Sequence, residues 1–179
     1  STSATSGVVS SGLVGHWTFD GPDMLQNIVD KSGSGNTGYL KNVVATSTFP
    51  GVVGQAMHFD GSNDYVSVPD SASLSPTAGL SVFGWVYQDT GANNKAIFTK
   101  WNHGVAHTFI LQTNNSSGQL VLYMSTQGVG AGESSVTSGS GVISARGWHY
   151  VGFVFDGAGA SGTDRAKIYI DGVAYSVGG

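Results

Sequence analysis

Cysteine is absent from this 179-residue chain, which removes disulfide frameworks, Cys-ligated zinc and thiol nucleophiles together. Charge is scarce: only 10% of residues are charged, and glutamate occurs once, at Glu133. The seven basic residues (Lys31, Lys41, Lys95, Lys100, Arg146, Arg165 and Lys167) are scattered, with no run among them. With a formal net charge of −4, this pattern argues against nucleic acid or an anionic membrane as partner, since both need clustered Lys and Arg. No stretch approaches the ~18 apolar residues of a membrane-spanning helix, so membrane insertion is not expected.

What is present is 28 glycines, many Ser and Thr, 40% apolar residues and 11% aromatics. A chain that apolar is not compositionally disordered, and its length suffices for one sizeable core. Strand signals recur while helical periodicity does not. In Leu13–Phe19 the odd positions Leu13, Gly15, Trp17 and Phe19 share one face. Ala56–Phe59 and Tyr65–Val68 flank the turn-rich Asp60-Gly61-Ser62-Asn63-Asp64 and read as a hairpin. Leu80–Gln88 places Phe83, Trp85 and Tyr87 on one side and Val82 and Val86 on the other. Strands are also expected over Ala96–Lys100, His107–Gln112, Gln119–Met124, Trp148–Phe155 and Ala166–Ile170, with a turn over Asn114–Gly118. Many short strands joined by turns imply an all-β, antiparallel two-sheet sandwich rather than βαβ units. Gly21–Leu40 and Gln127–Ser144 read as long loops, the second too poor in large side chains to pack a core of its own. Residues 1–11 read as a linker, and 12–179 as the domain.

Phe-Asp-Gly recurs at Phe19-Asp20-Gly21, Phe59-Asp60-Gly61 and Phe155-Asp156-Gly157, with a related Asp171-Gly172. The plain explanation is strand termination, the carboxylate capping the turn and Gly supplying φ > 0.

Six segments fall in a telling order: Gly12–Asp20, Asp30–Gly38, Gly54–Gly61 with Tyr65-Val66, Leu80–Val86, Trp148–Val151 and Lys167–Gly172. In that order they resemble LamG-like domains, the concanavalin A-like jelly rolls. The resemblance covers Gly12 to Val173 and implies two antiparallel sheets with jelly-roll topology. Relative to that family the chain stops short of further strands. The edge left open would then be available for strand pairing with another chain.

The resemblance further implies a structural Ca²⁺ whose matching positions here are Asp20, Asp30 and Asn36. Read as residues alone, all three are ordinary turn formers. Asp60, Asn63 and Asp64 form a second oxygen-rich group that the expected hairpin turn explains. Trp17, Trp85 and Trp148 match family positions that pack between the sheets. Trp101 differs, because it stands at a polar strand-to-loop junction where the core needs no aromatic. Trp101, Asn102, His103 and His107 are therefore the expected ligand-facing group, against the alternative that Trp101 covers a sheet end.

Catalysis is not expected. Glycosidases of this broad fold carry paired carboxylates, typically Glu-x-Asp-x-Glu, which one glutamate cannot supply. No His-Glu-x-x-His or Gly-x-Ser-x-Gly motif occurs either. His16, His58 and His149 read as hydrogen-bonded neighbours of the core. The expected function is a non-catalytic, extracellular or cell-surface binding module of a larger protein, with a glycan or surface protein as partner. The alternative is a structural or adhesive spacer without a specific small ligand.

Overall fold

A computed structural model of the chain describes residues 11–21, 24, 27–43, 48–89, 93–100, 108–114, 118–125, 133–158 and 165–176. Its regular structure is almost wholly β and falls into two compact units, 1–75 and 76–179. No helix among the described residues is long and apolar enough to cross a membrane.

Among its described residues the first unit holds five short strands: β1 (Asn27–Ile28), β2 (Gly38–Lys41), β3 (Thr48–Pro50), β4 (Gln55–Met57) and β5 (Tyr65–Ser67). They form a three-stranded sheet in the order β1-β2-β5 and a separate β3-β4 pair. A 3-10 turn follows at Ala72–Leu74.

Two expectations fail here. Leu13–Phe19 alternates like a strand but joins no ladder. Its backbone groups are taken by side chains and loops instead. His16 N–H donates to Asp30 Oδ1 (2.9 Å), Asn36 Nδ2 donates to the Val14 carbonyl (2.7 Å), and Lys31 N–H donates to the His16 carbonyl (2.8 Å). Phe19 then leaves extended geometry altogether, at φ 59°. The second failure is the 56–68 hairpin, because β4 pairs with β3 and β5 with β2. The intervening turn is closed by carboxylates. Asp60 Oδ1 accepts from the N–H groups of Ser62 (2.7 Å), Asn63 (3.2 Å) and Asp64 (3.4 Å), and Asp64 Oδ2 accepts from Asp60 N–H (3.0 Å).

The second unit is the sandwich. Its strands are β6 (Gly79–Tyr87), β7 (Ala96–Lys100), β8 (Thr108–Asn114), β9 (Gln119–Ser125), β10 (Glu133–Thr137), β11 (Trp148–Asp156), β12 (Ala166–Ile170) and β13 (Val173–Tyr175). They form two four-stranded antiparallel sheets, in the orders β10-β9-β8-β7 and β13-β12-β11-β6. The β8–β9 hairpin closes at Asn114↔Gln119, where the Asn- and Ser-rich turn was expected.

Alternate residues of both sheets meet in one core. Phe109 and Leu111 of β8, Leu120, Leu122 and Met124 of β9, and Val136 of β10 pack against Val151, Phe153 and Phe155 of β11 and Ala166, Ile168 and Ile170 of β12. The Phe109 and Phe153 rings meet at 4.9 Å, tilted by 57°. Burying each such side chain contributes roughly 1.5–3 kcal/mol, which fixes the register and so decides what faces outward.

β10 is the other correction. The stretch expected as a loop pairs with β9 from Glu133↔Ser125 to Thr137↔Val121. It then contributes Val136 and Ile143 to the core and buries Ser138, whose Oγ accepts from Leu120 N–H (2.9 Å).

Candidate functional site

The core claims one face of β6, β11 and β12, so alternation sends every second side chain out the other side. On β6 the inward residues Leu80, Val82 and Val86 lie against the core, and Phe83, Trp85 and Tyr87 point away from it. On β11 the inward residues are Val151, Phe153 and Phe155, leaving Trp148, Tyr150 and Gly152 outside. On β12, Tyr169 faces out between buried Ile168 and Ile170.

The register then assembles these rings. Trp148 stands opposite Tyr87 and Tyr150 opposite Trp85, with centroids 5.5 and 5.2 Å apart and planes tilted by 60° and 53°. Phe83 stacks diagonally on Tyr150 at 5.6 Å, nearly parallel at 15°, and reaches Tyr169 at 5.9 Å. That reach depends on Gly152, which pairs with Phe83 on one side and Tyr169 on the other. A Cβ at Gly152 would collide with the Phe83 ring and with the Val82 carbonyl, so only glycine lets Phe83 lie across the strand. The rings stay accessible: Trp85 is 47% exposed, Tyr87 42% and Tyr150 40%.

The expectation that Trp85 and Trp148 pack between the sheets is therefore corrected. Both face outward, and Leu80, Val82 and Val86 of β6 with Val151, Phe153 and Phe155 of β11 line the core instead. Trp17 is half-buried in the first unit and donates from Nε1 to the Asn36 carbonyl (2.8 Å). The expected ligand-facing residues Trp101, Asn102, His103 and His107 lie between the end of β7 and the start of β8, outside the described residues.

Of the expected calcium positions, Asp30 and Asn36 come together and Asp20 is tied elsewhere. Asp30 is buried, and its two oxygens accept four hydrogen bonds. Oδ1 takes the N–H groups of His16 (2.9 Å) and Ser32 (2.8 Å), and Oδ2 takes Ser32 Oγ–H (2.9 Å) and Asn36 N–H (2.9 Å). Burial works to raise its pKa. The bonds from Ser32, Asn36 and His16 outweigh burial and hold the group below the ordinary carboxylate value.

Asn36 is equally committed. Its Nδ2 donates to Val14 O and Ser73 Oγ (2.9 Å), and its Oδ1 accepts from Ser71 Oγ (2.7 Å). Asp20 Oδ1 accepts from Gln55 N–H (2.9 Å) beside Gly54, whose φ of +62° and contact with the Asp20 carboxylate leave no room for a Cβ. A carboxylate has about four lone-pair sites, and at Asp30 protein donors fill all of them. As they stand, these three residues do not fit a shared Ca²⁺. Among the described residues no group of three or more His, Asp or Glu side chains is placed to hold a metal ion.

A third constellation was not visible in the sequence. His149 Nδ1 lies 2.7 Å from Asp171 Oδ2, and its Nε2 lies 3.0 Å from Ser144 Oγ. The order Ser, His, Asp invites comparison with a nucleophile, base and orienting acid. The chemistry differs, because Ser144 N–H also donates to Nε2 at 3.0 Å. A backbone N–H can only donate, which makes Nε2 the acceptor and puts the proton on Nδ1 facing Asp171. The lone pair that a catalytic base needs is thus engaged in holding the 144–147 turn. Asp171 in turn accepts from Tyr150 N–H (2.9 Å), and the His149 bond first, then this one, lower its pKa. The unit is a clasp joining the start of β11 to the β12–β13 turn.

The family model described as the concanavalin A-like lectin/glucanases superfamily matches residues 60–178, well over half of the chain. No curated protein and no solved structure matches.

Proposed function

The chain belongs to the concanavalin A-like lectin/glucanase superfamily, and on that premise we propose that it is a non-catalytic binding module of a larger exported or surface protein, recognising carbohydrate or another surface polymer. The observation that carries this is the aromatic outer face of the β6-β11-β12 sheet. Trp85, Tyr87 and Tyr150 are about two-fifths exposed or more, although each is large and apolar enough to belong in a core. An exposed aromatic cluster held by cross-strand packing is an unusual use of surface in a monomer, and stacking against an amphipathic ligand is the use that fits its chemistry. Binding through this face needs no cation. A Ca²⁺ at Asp30 would have to displace protein donors from both oxygens.

Two observations support the non-catalytic part. The chain's one glutamate, Glu133, cannot supply the paired-carboxylate motif, and the His149 base is occupied by a backbone N–H. The segment 101–107 is proposed as a second contact to ligand, on the composition of Trp101, Asn102, His103 and His107 alone.

A structural or adhesive spacer is the competing reading. It is favoured by the commitment of Asp30, Asp60 and Asp171 to closing loops. Screening the whole chain on an array of neutral and acidic glycans separates the two. Saturable binding to a defined glycan class is expected, and uniform absence of binding would leave the spacer.

A further inference from the structure

We propose that the outer face of the β6-β11-β12 sheet is a platform for a neutral polysaccharide laid across it by the middle of the chain. The proposal rests on the glycan-binding role above, keeps its site, and adds the ligand class and the mode.

Shape argues first. Phe83, Trp85 and Tyr87 recur at every second residue of one strand, so they form a row about 14 Å long at a strand rise of ~3.4 Å. Tyr150 and Trp148 on β11 form a second row directly opposite. Tyr169 on β12 extends the patch to a third strand, roughly 10 Å across at ~4.8 Å per strand. A ring-bearing area of that size exceeds one sugar. It suits successive residues of one chain, each adding a contact at high effective concentration.

Ring orientation argues next. Phe83 and Tyr150 lie near-parallel at 15°, while the Trp85–Tyr150, Tyr87–Trp148 and Phe83–Tyr169 pairs are tilted by 53–60°, so the face offers both ring faces and ring edges to a chain lying over it. Gly152 is what lets Phe83 lie beside Tyr169, and a side chain at position 152 would raise a ridge at the centre of the patch.

Charge selects among ligands that stack on aromatics. Among the alternate residues sharing this face over Ser81–Tyr87, Trp148–Val154 and Lys167–Tyr169, the one charged side chain is Lys167. Single-stranded nucleic acid uses the same stacking but needs a basic track for its phosphates, which one lysine does not provide. A polyanionic glycan has the same need. Neutral pyranose chains present apolar C–H faces to the rings, and their hydroxyls can be met by the phenolic groups of Tyr87, Tyr150 and Tyr169.

The test is native affinity electrophoresis of the full chain through gels cast with hydroxyethylcellulose, xylan, galactomannan or dextran, with alginate as the acidic control. Retardation by at least one neutral polymer and none by alginate is expected. Trp85→Ala and Tyr150→Ala should each weaken it by about tenfold, the equivalent of one lost aromatic contact, and Trp85→Phe should retain most of it. The disaccharide of the retarding polymer should compete far worse than the polymer at equal sugar concentration.

Because Trp85 and Tyr150 are surface residues, unchanged far-UV circular dichroism is expected for both variants and qualifies either alone as a probe. Retardation that survives both substitutions and vanishes in Trp101→Ala overturns the platform while leaving glycan binding intact. Retardation by no polymer overturns both. Binding of a polyproline peptide, or a dimer in size-exclusion chromatography that Trp85→Ala dissolves, assigns the face to another occupant and overturns the proposal.

Discussion

At Asp30 the substitution by asparagine keeps the shape of the side chain and removes its charge. An amide nitrogen would then face donors that now meet a carboxylate oxygen, Asn36 N–H and Ser32 Oγ–H on one side or His16 and Ser32 N–H on the other. A loss of about 2 kcal/mol is expected in urea unfolding, the scale of charge-assisted hydrogen bonds left unmet at a buried site. The same group sets an acid limb. Its folded pKa lies below its unfolded value, so its stabilisation is complete above the ordinary Asp value of about 3.9. It is lost as pH falls through the lowered folded value. Asp30→Asn should flatten that limb in stability measured against pH, and a limb of unchanged steepness would assign it to other carboxylates. At Gly152 a single added methyl meets both the Phe83 ring and the Val82 carbonyl. Gly152→Ala should cost roughly 1–3 kcal/mol by thermal unfolding, the range for overpacking, and should displace Phe83 from Tyr169.

At the scale of elements, β10 carries a sharp prediction. Val136 is buried while its neighbours Ser135 and Thr137 are exposed, so Val136→Asp should unfold the second unit and Ser135→Asp should change stability by less than about 0.5 kcal/mol. Equal effects at the two positions, read by urea unfolding, would deny the strand. β10 also marks where the sequence stops being legible. Glu-Ser-Ser-Val-Thr has the alternation of a strand but only one apolar residue, and its neighbours supply the pairing that its own composition does not suggest.

The central strands were plain from their period, because β6, β8, β9, β11 and β12 are long enough to show it. Leu13–Phe19 showed the same period and is no strand, since Asp30 and Asn36 claim its backbone groups from elsewhere in the chain. Period sorts the residues of β6 into two faces but does not say which is inward. That choice belongs to the sheet packed on it, and here the sheet takes Val82 and Val86 and leaves Trp85 out. The aromatic face was therefore written in the sequence and misassigned. The His149 clasp, spanning Ser144 to Asp171, needed the β11–β12 register before it could be seen.

For the whole molecule, the low charge that sets its composition also sets how it would hold its loops. Three of the Asp-Gly positions end with an aspartate accepting backbone N–H groups: Asp60 from Ser62, Asp156 from Ala158 and Asp171 from Tyr150. Asp20 does the same for Gln55. Carboxylates used this way perform locally what a bound cation performs in other oxygen-rich loops. Thermal unfolding of the full chain in excess EDTA and in millimolar Ca²⁺ should therefore give the same midpoint. A rise of several degrees with Ca²⁺, abolished by Asp20→Ala or Asp30→Ala, would instead establish a native-state metal site by mass action.

Stacked rings have an optical consequence. Phe83, Tyr150, Trp85 and Tyr169 are linked by centroid distances of 5.2–5.9 Å on a rigid, chiral sheet, close enough for their electronic transitions to couple. The near-ultraviolet circular dichroism of the chain should accordingly be dominated by a handful of surface residues rather than by its core. Anything that settles on that face would then announce itself in the spectrum without a label.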